Sequence, residues 1–74
     1  MTINKMKEGQ YCRIKNLAGD TRFISRITSV GLTLGAEVEV IQNRGKYPML
    51  VYTRDSMIAI NQKEAANISV EVMA

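Results

Sequence analysis

A mainly β fold, a small antiparallel barrel of about five strands carrying one short helix, is what this sequence predicts. Three observations support it. Apolar residues recur at every second position in several short stretches, the period of a half-buried strand. Only one longer stretch, about residues 21–30, changes to the helical period. Turn signals follow at close intervals, and in a chain of 74 residues a closed or half-closed barrel hides sheet edges that would otherwise pair with other chains.

The opening, MTINKMKEGQ, is polar from its second residue, and Gly9 marks a turn. QYCRIKNL, residues 10–17, then alternates as a strand with Cys12 and Ile14 inward and Arg13 and Lys15 outward. Cys12 reads as a small buried hydrophobe, since no neighbouring His or basic pair activates it.

The period changes at AGDTRFISRITSVG. Asp20 follows Gly19 as an N-cap, so the helix begins at Thr21. On a wheel of 3.6 residues per turn, Phe23, Ile27 and Val30 fall within about 60° of one another, with Ile24 at the edge of that stripe. Arg22 and Arg26 sit one turn apart on the flank. The two Thr and two Ser of the segment are mediocre helix formers, so packing must hold it. If Gly31 is the C′ residue, Ile27 becomes C3 and Leu32 becomes C″, the pair whose apolar contact accompanies a Schellman cap. Thr33, Leu34 and Gly35 then turn the chain into AEVEVIQ, where Val38 and Val40 face inward and Glu37 and Glu39 face solvent.

NRGKYP is a loop. MLVYT places Met49, Val51 and Thr53 on one face and Leu50 and Tyr52 on the other, and Pro48, which lacks an amide donor, belongs at its start. RDS is a tight turn, and MIAI returns with Ile58 and Ile60 on a shared face. NQKEAA allows a helical turn near 62–66. NISVEV closes the single domain, residues 1–74, with Ile68, Val70 and Val72 inward.

Composition narrows the chemistry. A chain this short buries only about 60% of its unfolded surface, so its stability is modest. One Cys and no His exclude a disulfide framework and a zinc site assembled from one copy; a site shared between copies, or carboxylates holding a hard divalent ion loosely, is left open, with no resident cofactor expected. No base stands beside a nucleophile, no paired carboxylates converge, and no P-loop or dinucleotide fingerprint occurs, so the chain is not expected to be an enzyme. The net charge of +3 comes from scattered residues, not from one basic face. No segment reaches the roughly 18 consecutive apolar residues of a membrane span, and the N-terminus lacks an apolar signal core. With a lone thiol, this points to the cytoplasm.

The ordered set of features resembles the FeoA family, small cytosolic proteins of bacterial ferrous iron uptake with an SH3-like barrel fold, over nearly the whole chain. MKEG at 6–9 is similar to the family's opening turn, and RITSVGLTLGAEVEV at 26–40 to its most distinctive stretch. YPMLVYT is similar to its Pro-led strand, and IAINQKEAANISVEV to its closing strand, Glu-Ala turn and Ile-x-Val end. Three positions depart from the pattern. Leu34 stands where the family often has Pro, Lys46-Tyr47-Pro48 where it often has Gly-Asp-Pro, and Asn61 where it usually has Arg.

The resemblance implies an accessory protein that acts on the membrane-embedded ferrous iron transporter FeoB, which carries its own GTP-hydrolysing domain. Similar domains end iron- or manganese-responsive transcription regulators, so both contexts describe a protein-binding barrel. The exposed side of the helix and its corner, Arg22, Arg26, Leu32, Thr33 and Leu34, is the expected docking surface. Leu32 also serves the cap contact, whereas an apolar Leu34 at a turn tip is harder to justify by folding alone. The alternative is a nucleic-acid-binding barrel, using Arg13, Lys15 and Arg54 on phosphates and Tyr11, Tyr47 and Tyr52 on bases. Homo-oligomers are left open.

Overall fold

The computed structural model describes residues 1–73; residue 74, the end of the expected domain, lies outside the described residues. Five strands form one antiparallel sheet: β1 (Tyr11–Leu17), β2 (Glu37–Gln42), β3 (Met49–Thr53), β4 (Ser56–Ile60) and β5 (Ile68–Met73). Their spatial order is β4-β3-β2-β1-β5. Helix α1 (Thr21–Ser29) lies between β1 and β2 in the chain, and the single turn α2 (Gln62–Ala65) carries the chain from β4 to β5, the two sheet edges.

Alternation decides which side chains enter the core. Cys12 and Ile14 of β1, Val38 and Val40 of β2, Met49 and Val51 of β3, Ile60 of β4, and Ile68 and Val70 of β5 are all buried. The pairings Cys12–Val38, Val40–Val51 and Met49–Ile60 stack these residues across the sheet. Thr53 is the one buried polar side chain among the described residues, and its hydroxyl donates to the Glu37 carbonyl at 2.8 Å. Burial without that bond would be unfavourable.

Helix α1 starts and stops as its sequence dictates. The Asp20 carboxylate accepts from the Phe23 amide at 2.8 Å. At the other end the Gly31 amide donates to the Thr28 carbonyl and the Leu32 amide to the Ile27 carbonyl, both at 3.1 Å. These are the two bonds of a Schellman cap, and they need the positive φ of Gly31, 110°. Phe23 and Ile27 are buried and Ile24 packs at the core's margin.

Two expectations are corrected. Val30 is 45% exposed, because the cap reverses the chain there and Leu32 occupies the core in its place. Val72 is 44% exposed. It pairs with the buried Cys12, but β5 is an edge and nothing described covers its far side at that point. The polar N-terminus also contributes to the core. A 3₁₀ turn, Ile3–Lys5, leaves Ile3 and Met6 fully buried. Thr2 bridges Ser69, and the Val70 amide donates to the Met1 carbonyl at 2.8 Å, so this segment shields part of the β5 edge. Asn43, in the loop after β2, locks it down. Its amide donates to the carbonyls of Asn4 and Met6 at 3.0 and 2.6 Å and accepts from Gln62 at 2.9 Å.

Candidate docking site

The corner that follows the Schellman cap is where folding and exposure part company. Leu32 turns in and is 0% exposed, which removes it from the expected surface; Leu34, two residues on, is 65% exposed. Backbone bonds hold the intervening turn. The Gly35 amide donates to the Ile14 carbonyl at 2.8 Å, and the Ala36 amide to the Thr33 carbonyl at 3.0 Å. The Leu34 side chain is therefore presented from an ordered backbone, so a partner would lose little entropy in ordering it.

A groove of about 460 Å³ opens beside it, lined by Asn16, Leu17, Ile24, Thr28, Thr33 and Leu34. Ile24 and Thr28 lie one turn apart on α1, while Asn16 and Leu17 come from the end of β1, where the pairing with β5 slips by one residue. Sequence reasoning missed Leu17, Asn16 and Thr28; Ile24, at the edge of the apolar stripe, was the available signal. The chain from Thr21 to Ala36 holds no acidic residue.

The two helix arginines stand apart from this groove. At 100° per residue, Ile24 and Thr28 lie roughly 200° around the helix from Arg22 and Arg26 respectively. Arg26 forms an ion pair with Glu64 of α2 and sits 5.8 Å from the Phe23 ring centroid, so it ties α1 to α2. Arg22 is exposed, with no ion pair among the described residues. The structure thus groups Thr33 and Leu34 with the groove and places Arg22 and Arg26 on the opposite flank.

The basic residues of the alternative reading are engaged. Arg13 pairs with Glu37 at 3.2 Å, Lys15 with Glu71 at 4.0 Å, and Arg54 donates to the Thr33 hydroxyl at 3.2 Å. Tyr47 is exposed in the loop before β3, while Tyr11 and Tyr52 are exposed on the outer sheet face with Glu39 in register between them. A carboxylate between two rings repels a phosphate chain, so these features do not assemble into a nucleic-acid groove.

Titratable groups respond to the same geometry. Burial pushes the Cys12 thiol up to about 11, which leaves it a thiol at neutral pH. The Tyr52 hydroxyl donates to the Asp55 carboxylate at 3.1 Å, and that bond, then the Asp55 charge, raises its phenol. The Asn43 amide and the Arg44 guanidinium lower the Glu8 carboxyl. Among the described residues no three His, Cys, Asp or Glu side chains gather as metal ligands. No described helix is long and apolar enough to cross a membrane.

Fold and corner together define a small SH3-like β module with an exposed apolar tip and a groove at one end of its helix. The model of the FeoA domain family matches residues 1–72, and the chain belongs to that family, whose setting is ferrous iron transport. Solved structures agree on the fold. A crystal structure of an iron uptake regulatory protein, FeoA, superposes with a TM-score of 0.93 at 22% identity, covering 99% of this chain and 97% of that one. The FeoA of Stenotrophomonas maltophilia, solved with zinc and described as an SH3 domain protein, gives 0.79 at 21% identity, with 96% and 89% covered. A manganese-dependent transcriptional repressor gives 0.89 at 15% identity, and there the match covers 99% of this chain but 41% of the repressor. No curated protein matches the chain.

Proposed function

We propose that this chain is a non-enzymatic cytoplasmic adaptor of ferrous iron uptake, which docks on the cytoplasmic side of a FeoB-type membrane GTPase and modulates it. Family membership supplies the process, and the observation that carries the docking reading is Leu34. It is an apolar side chain at an exposed tip, held by backbone bonds, with an apolar-lined groove beside it. Folding does not require it there, since Leu32 already fills the core at the cap. An apolar residue of the partner entering the groove while Leu34 covers it gives the compact, water-excluding contact that anchors an interface. Thr33, Asn16 and Thr28 supply the polar rim, and the absence of acid from 21 to 36 favours a partner surface that is neutral or acidic. Arg22, on the other flank, adds at most a peripheral charge, and Arg26 is committed to Glu64.

The test is capture from nuclease-treated, detergent-solubilised membranes of the source organism with this protein as bait at moderate salt. Recovery of a large polytopic GTP-binding transporter supports the proposal. Its absence from the eluate, under conditions where the transporter is present in the input and the bait is folded, overturns it.

A further inference from the structure

A second surface lies on the outer face of the sheet, away from the groove. Cross-strand register builds one row there: Met57 opposite Tyr52, Tyr52 opposite Glu39, Glu39 opposite Tyr11, and Tyr11 opposite Met73. Tyr11, Tyr52 and Met57 are exposed. A shallow recess of about 270 Å³ runs between the tyrosines, with Glu37, Glu39 and Arg54 among its lining.

Glu39 is the odd carboxylate among the described residues. Glu8 pairs with Arg44, Glu37 with Arg13, Glu64 with Arg26 and Glu71 with Lys15. Asp20 caps α1, and Asp55 accepts from Tyr52. Among the described residues only Glu39 has neither an ion pair nor a side-chain hydrogen bond. The nearby cations do not reach it: Arg13 is held by Glu37 across the strand pair, and the Arg54 guanidinium is turned to Thr33.

Two interstrand steps separate Tyr11 from Tyr52, roughly 10 Å. A cation resting over Glu39 would therefore stand between the two strands that carry the rings, and a cation is attracted to an aromatic face whose centroid lies within about 6 Å. We infer that Tyr11, Glu39 and Tyr52 form a seat for an arginine side chain presented by a polypeptide partner. Arginine suits it better than lysine, because a planar guanidinium stacks on the rings while its N–H groups reach the carboxylate. Met57 and Met73 extend the row with adaptable apolar contacts for the residues flanking that arginine. The surface thus takes a basic segment and rejects phosphate chains. The protein's own net charge of +3 repels cations at long range, so binding of a cationic peptide reports a local site and not general attraction.

The experiment is an NMR titration of the whole chain with a blocked hexapeptide of alternating arginine and alanine, beside a twin in which citrulline replaces each arginine. Citrulline keeps the size and planarity and removes the charge. The expected result is saturable shifts of the Tyr11, Glu39 and Tyr52 amides, with the citrulline twin at least tenfold weaker and Glu39→Gln at least tenfold weaker for the arginine peptide. Glu39 is a solvent-side strand position, so Gln there should keep the spectrum dispersed; should it not, the citrulline comparison on the unaltered protein decides alone. Equal binding of the two peptides, shifts spread over Glu8, Glu37 and Glu71 without saturation, or shifts confined to the groove at Leu34 would each overturn the inference.

Discussion

The guanidinium of Arg54 donates to the hydroxyl of Thr33 at 3.2 Å, tying the turn between β3 and β4 to the exposed corner that follows α1. That turn is a two-residue hairpin loop, closed by the Thr53–Ser56 pair, in which Arg54 and Asp55 both have positive φ, 51° and 63°. Such loops match the twist of the strands but favour Asn and Gly. Here two ordinary side chains occupy them, one reaching the corner and the other accepting from Tyr52.

Asp55→Gly should therefore stabilise the domain. A left-handed residue other than Gly costs about 1–2 kcal/mol, with Asp toward the low end, and the Tyr52–Asp55 bond lies in solvent, where water replaces it. The expected gain is about 1 kcal/mol, or a rise of about 4–8 °C in the thermal midpoint of a domain this size. A thermal melt followed by circular dichroism checks it, and a lowered midpoint would show that the Tyr52 contact outweighs the strain.

Gly31→Ala should act in the opposite direction. A Cβ there would meet nothing closer than the Thr53 methyl at 3.9 Å, an ordinary contact, so the cost lies in the backbone. A loss of about 1–2 kcal/mol is expected, seen as a lower urea midpoint with an unchanged denaturant slope.

Ile3→Ala tests whether the N-terminal segment belongs to the core. Deleting a fully buried branched side chain typically costs about 2–5 kcal/mol, a large part of what a small domain has. A change under about 0.5 kcal/mol in chemical denaturation would mean that the segment docks without supporting the sheet.

Cys12 should impose an alkaline limit. Its folded value, about 11, lies above its ordinary value of 9.0, so the native state holds the proton more tightly. The associated stability is complete below pH 9 and is lost as pH rises toward about 11, with a slope approaching about 1.4 kcal/mol per pH unit. Cys12→Ala removes this term while sharing every tyrosine and lysine titration. The difference between the two proteins' stability profiles should open between pH 9 and 11; parallel profiles would contradict the burial argument.

Much of the fold was legible because alternation is a local signal. Val38, Val40, Met49 and Val51 declared their face two residues at a time, and Asp20, Gly31 and Leu32 announced both helix ends. Ile3 and Met6 were not legible: each stands singly in a polar stretch, and burial comes only when that stretch closes on β5 and α2. Asn43 was missed for the same reason, since its partners lie in the N-terminal segment and α2. Val30 and Val72 kept the right period but lost their cover at a cap and at an edge. Of the candidate site, Leu34 was visible as an apolar residue at a turn. The groove was not, because it joins the end of β1 to one flank of α1. The Tyr11–Glu39–Tyr52 row required the cross-strand register, which no single strand encodes.

If the corner is the docking surface, Leu34 is the side chain whose loss should weaken it most. The measurement is the affinity of the detergent-solubilised, full-length FeoB-type transporter of the source organism for this protein and for Leu34→Ser, each checked by thermal melt. At least a tenfold loss of affinity is expected, about 1.4 kcal/mol, with a thermal midpoint within about 4 °C of the parent, since surface changes usually stay within about 0.5 kcal/mol. Unchanged affinity in a folded variant would contradict it, and a collapse of stability would show Leu34 to be part of the core.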